Sequence, residues 1–110
     1  MNARPIILVV EDEPAALASL LDDLTRRYGG DHRVIPHLSA SGALTELERL
    51  KNEGERVALV IADQWMPEMT GSEALVHAHR IFPEAQRGLL VKWGDRTAAP
   101  AILEGCAMGR

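Results

Sequence analysis

Three acidic residues sit where two apolar runs stop. Ile6-Ile7-Leu8-Val9-Val10 ends in Glu11-Asp12-Glu13-Pro14, and Val57-Ala58-Leu59-Val60-Ile61-Ala62 ends in Asp63. Short, β-branched-rich apolar runs of this kind read as strands buried on both faces. If the two strands are parallel neighbours, Glu11, Asp12 and Asp63 meet on one rim. Carboxylates gathered in that way repel one another, and taking them out of water is costly. A cation should neutralise them, and an oxygen-rich rim suits Mg²⁺. One acid after a strand reads more simply as a cap or a solvated charge. Three acids ending two core strands read as a site.

The elements that must position these acids follow from periodicity. Pro14 suits the first turn of a helix, where its missing N–H costs nothing. Leu17, Leu20, Leu21 and Leu24 continue that helix as a core stripe, and Gly29-Gly30 stop it. A strand is expected over Arg33 to His37, demoted to a sheet edge by Pro36. Ser39 reads as the N-cap of a helix carrying Leu44, Leu47 and Leu50, ended by Asn52-Glu53-Gly54. After Asp63 a loop leads to a helix from about Ser72 to Phe82. Leu89-Leu90-Val91 reads as a third buried strand, followed by Lys92-Trp93-Gly94-Asp95 and a last helix from about Thr97 to Leu103. The alternation is βαβαβαβα, which means a parallel sheet with right-handed crossovers and helices on both faces. Function in such sheets collects at the carboxyl ends of the strands.

Composition narrows the classes. With 110 residues, residues 1–110 form one expected domain. Lys plus Arg is 12 and Asp plus Glu is 16, so there is no basic surplus to displace counterions from nucleic acid. No apolar run approaches the roughly 20 residues that span a bilayer. The start, Met1-Asn2-Ala3-Arg4-Pro5, lacks a signal peptide's apolar stretch. The single cysteine, Cys106, excludes an internal disulfide and reads as a packing residue in a reducing compartment. A soluble cytoplasmic domain is expected, bound to neither nucleic acid nor membrane.

Other chemistries fit poorly. A Rossmann site needs Gly-x-Gly-x-x-Gly after the first strand. Glu-Asp-Glu-Pro stands there instead and repels phosphate unless a metal intervenes. No Walker lysine motif is present. His77 and His79 are two apart on a helix and face different ways, so zinc is not expected. Trp65 reads either as a gate over the acids or as an exposed partner contact.

Ile-Leu-Val-Val-Glu-Asp-Glu-Pro at 7–14 and Ala-Asp-Gln-Trp-Met-Pro-Glu-Met-Thr-Gly at 62–71 resemble a response-regulator receiver domain, over nearly the whole chain. The resemblance implies a flavodoxin-like, doubly wound parallel sheet of strand order 2-1-3-4, with four of the usual five βα units. It implies phosphotransfer, with Asp63 as phosphoacceptor from a sensor histidine kinase or phosphotransfer protein. Asp12, Asp63 and the Trp65 backbone carbonyl would ligate Mg²⁺ directly, and Glu11 would act through water. The output domain would be fused or separate, and the domain would be a switch, not an enzyme.

Two features depart from the family pattern. Receivers carry Ser or Thr just after the strand expected at Leu89–Val91, whereas this chain carries Lys92, with Thr97 the nearest hydroxyl. The ammonium of Lys92 either reaches toward Asp63 and neutralises the acids, or snorkels outward. The family's fifth strand, its phosphate-binding lysine and its fifth helix have no counterpart before Arg110. An unpaired strand edge and an uncovered apolar face are then expected, or a homodimer that covers them. The competing functional reading is a degenerate receiver that acts by dimerisation or protein interaction without phosphate. A metal-dependent phosphohydrolase is a third, but Asp63-Gln64-Trp65 lacks the second acid two residues on.

Overall fold

The computed structural model describes residues 4–91. Four strands and three helices alternate: β1 (Ile6–Val10), α1 (Pro14–Tyr28), β2 (Arg33–His37), α2 (Ala40–Asn52), β3 (Val57–Asp63), α3 (Gly71–Ile81) and β4 (Gln86–Leu90). All strand pairs are parallel, in the order β2-β1-β3-β4. This is the expected flavodoxin-like topology. The helix expected over Thr97–Leu103, together with Lys92, Trp93 and Cys106, lies outside the described residues. No described helix is long and apolar enough to cross a membrane.

β1 is central, and all five of its residues are buried. Alternate side chains face opposite sides of a strand. Ile6, Leu8 and Val10 join Val60, Ala62, Leu47, Leu50, Leu75 and Phe82 in the core between the sheet and the α2–α3 layer. Ile7 and Val9 point the other way, and β1 and β2 carry α1. Pro36, on β2, pairs opposite Val9, and among the described residues the other edge of β2 carries no partner, so its missing N–H breaks no ladder.

Three expectations need correction. β3 is not buried along its length: Val57, Val60 and Ala62 are, while Ala58, Leu59 and Ile61 are half-covered. The strand expected at Leu89–Val91 runs over Gln86–Leu90, beginning three residues earlier and ending one earlier, and none of its residues is buried. Leu89 packs on the core, but Val91 is past the strand and exposed. On α1 only Leu17 is buried, whereas Leu20, Leu21 and Leu24 are half-covered. For Leu59 and Ile61 on β3 and for the leucines of α1 the cause is shared. The layer of α2 and α3 seals one face, while α1 is the single described helix on the other.

The caps follow the local chemistry. Glu13 accepts from the Ala16 N–H and starts α1 at Pro14. Ser39 accepts from the Gly42 N–H and starts α2, as its residue type suggested. Thr70 and Glu73 form a reciprocal capping box at α3.

Candidate acidic site

Register brings the three acids together. Val10 pairs with Ala62 across β1 and β3, so Glu11 and Asp63 leave adjacent strands side by side. One carboxylate oxygen from each of Glu11, Asp12 and Asp63 lies within 4.8 Å of the others. Glu11 is pinned twice. Its backbone N–H donates to the His37 carbonyl at 3.1 Å, and its side chain accepts from the Glu13 N–H at 3.2 Å.

The electrostatics are strained. Burial pushes the Glu11 carboxyl above the usual glutamate range, and the charges of Asp63 and Asp12 push it further; the Glu13 N–H opposes them. Burial likewise raises the Asp63 carboxyl, and the Asp12 charge adds to it. Against this, the Trp65 and Gln64 N–H groups and a hydrogen bond from Glu11 favour its ionised form. Away from the site, Arg26 pairs with Asp22 and Asp23, Arg33 with Glu55, and Arg49 with Glu46 and Glu53. Three hard oxygen donors on one rim, from Glu11, Asp12 and Asp63, form a donor set that fits Mg²⁺.

The loop after Asp63 is held at both ends. Glu68 accepts from the Ser41 N–H at 3.1 Å and so caps α2 from outside its own element. At the other end, Gln64 is 1% exposed. Its backbone N–H donates to the Leu90 carbonyl at 2.9 Å, its own carbonyl accepts from the Gly71 N–H at 3.0 Å, and its Oε1 accepts from the Ser72 N–H at 2.9 Å. Gly71 abuts this junction: a Cβ there would collide with the Asp63 carbonyl and meet Leu89 Cδ1 at 2.9 Å. The glycine is needed for close approach.

The structure therefore groups Glu11, Asp12 and Asp63, as expected from the strand ends. Trp65 lies two residues past Asp63 and is 46% exposed. Lys92 lies outside the described residues. Sequence reasoning passed over Gln64, Glu68 and the Thr70–Glu73 capping box. The box carries a readable Thr-x-x-Glu signature. The roles of Gln64 and Glu68 depend on partners in other elements and leave no local signal.

No family model and no curated protein matches the chain. Solved structures do. A signal receiver domain of an HD domain-containing protein from Pseudomonas fluorescens Pf-5 superposes with a TM-score of 0.78 at 24% identity, over 100% of this chain and 75% of that one. A response regulator receiver domain protein from Clostridium thermocellum gives 0.71 at 26% identity, over 93% and 77%. A response regulator protein from Thermotoga maritima, solved in complex with Mg²⁺–BeF, gives 0.70 at 23% identity, over 92% and 81%.

Proposed function

We propose, on the premise that this chain is a response-regulator receiver domain, that it is a phosphoacceptor switch of a two-component phosphorelay. The observation that carries the reading is the convergence of Glu11, Asp12 and Asp63 within 4.8 Å at the ends of β1 and β3. The Thermotoga maritima structure, solved with Mg²⁺–BeF, supports extending metal binding to this chain.

Asp63 is the proposed nucleophile. A carboxylate oxygen attacks the phosphorus of a phosphohistidine on the donor protein. The new O–P bond gives an acyl phosphate, the N–P bond breaks, and its electron pair stays on the imidazole nitrogen. The Trp65 and Gln64 N–H groups favour the ionised, attacking form. Asp12, Asp63 and the Trp65 carbonyl would hold Mg²⁺, with Glu11 acting through water. When bound, the ion offsets the repulsion between carboxylates and incoming phosphoryl oxygens. By the resemblance, Lys92 would stand in the sequence where receivers carry the switch Ser or Thr. The domain turns over no metabolite and works as a switch.

The proposed partners are a sensor histidine kinase or phosphotransfer protein, an output domain that is fused or separate, and a second copy of the chain. A cytoplasmic location is proposed with them.

The test is a Mg²⁺ titration followed by tryptophan fluorescence, with Asp12→Ala as control. A second step is incubation with acetyl phosphate and Mg²⁺, read by intact mass. Saturable quenching lost in Asp12→Ala, and a mass gain of one phosphoryl group lost in Asp63→Asn, are expected. A folded chain that binds Mg²⁺ but takes no phosphoryl group from acetyl phosphate or a phosphorylated kinase overturns the reading. The degenerate, phosphate-independent module then replaces it.

A further inference from the structure

We propose that Gln64 is the positioning residue of the acidic site, setting the backbone from which Asp63 and Trp65 face Glu11 and Asp12. The inference rests on the metal-site reading above and deepens it.

A long polar side chain at 1% exposure is costly unless it is paired. Here the pairing is specific. The second residue of α3, Ser72, is itself buried, so water does not serve its backbone N–H. Thr70 does not serve that N–H: its hydroxyl meets the Glu73 N–H and the Ser72 hydroxyl, and its carbonyl accepts from Ala74. Gln64 Oε1 supplies the acceptor that the Ser72 N–H needs. An apolar side chain of equal size would fill the space and leave that donor orphaned.

The same residue also binds through its main chain to β4 at Leu90 and to α3 at Gly71. Three bonds in three directions fix its backbone torsions. Asp63 precedes it and Trp65 follows it, so a rotation at Gln64 moves both neighbours together. The acidic constellation needs such fixing, because loose supports degrade sites whose first contacts are intact. Glu11, opposite, is pinned independently by His37 and Glu13. Gln64 therefore decides whether the β3 side of the rim meets the β1 side.

The test uses the full chain in a Trp93→Phe background, which leaves Trp65 as the reporter. Gln64→Leu keeps the volume and removes the acceptor. Ile6→Val is a core control that lowers stability away from the loop. Folding of each is checked by circular dichroism. Gln64→Leu is expected to shift Trp65 emission, speed hydrogen exchange at the Ser72 amide, and weaken Mg²⁺ binding about tenfold or more, the usual result of losing outer-shell support. Ile6→Val is expected to change neither emission nor affinity. A folded Gln64→Leu chain with unchanged emission and unchanged Mg²⁺ affinity overturns the proposal. If the parent chain shows no Mg²⁺ response, the metal reading fails. The emission of Gln64→Leu still decides the positioning role, a shift supporting it and identity overturning it.

Discussion

The carboxylate of Glu68 accepts the Ser41 backbone N–H at 3.1 Å. The loop that leaves β3 thereby caps the helix that leaves β2, and two segments on one rim are tied by a single side chain. Backbone donors from Ser41 and Ala40, with the Ser41 hydroxyl, hold the Glu68 carboxyl below the usual glutamate range. A carboxyl lowered in the folded state contributes stability above its unfolded value of 4.5, and that contribution is lost as pH falls through the folded value. Glu68→Ala is therefore expected to lower the thermal midpoint by a few degrees at neutral pH. The difference should vanish in strong acid. Thermal melts across pH decide this, and a difference that persists unchanged in acid counts against the cap.

Glu11 and Asp63 behave in the opposite sense. Both are raised in the folded chain, chiefly by burial. The metal-free fold then binds protons more tightly than the unfolded chain, so its stability should rise as pH falls from neutral through the folded values. The gain is complete once pH is below the unfolded values of 4.5 and 3.8. Asp63→Asn should raise the neutral-pH midpoint in EDTA by a few degrees, because it removes a repelled charge. Calorimetry in EDTA checks this, and a lower midpoint in the variant contradicts the repulsion.

Mg²⁺ should stabilise the parent chain in proportion to its occupancy. At a concentration 100 times Kd, one site adds about 2.7 kcal/mol. Asp12→Ala and Asp63→Asn should lose most of that response. Urea unfolding with and without Mg²⁺ measures it, and equal stabilisation of parent and variants places the metal elsewhere.

Gly71→Ala places a methyl group against the Asp63 carbonyl and Leu89. Overpacking of this kind costs roughly 1–3 kcal/mol. Because the methyl pushes on the residue that bears the acid, Mg²⁺ affinity should fall as well. Urea unfolding and the fluorescence titration together test this. A variant with parental stability and affinity shows that the junction yields.

Self-association concerns the other sheet face. Leu20, Leu21 and Leu24 on α1 are half-covered, as are Leu59 and Ile61 on β3. A second copy covering them predicts a concentration-dependent dimer by sedimentation velocity, weakened by Leu24→Lys. A monomer at all concentrations defeats the proposal.

Much of this protein was legible in one dimension. Burial of β1 could be read from five consecutive apolar residues, because a strand covered on both faces has no use for polar alternation. Pro36 marked the edge, since it lacks the ladder donor. The meeting of Glu11, Asp12 and Asp63 followed from acids placed at the ends of two core strands, while the order of the sheet came from the resemblance to receiver domains. Other features came from partners distant in sequence. Leu20 and Leu24 carry the same pattern as the buried leucines of α2, yet their cover depends on which layers face them. Leu89–Val91 looked like a buried strand, but pairing with β3 runs from Gln86 to Leu90. Gln64 and Glu68 are ordinary polar residues in a loop until Ser72, Leu90 and Ser41 come within hydrogen-bond reach. Local chemistry determined the elements and the acids at their ends. The tertiary structure decided what supports those acids, because an orphan N–H has no identity in sequence until packing excludes water from it.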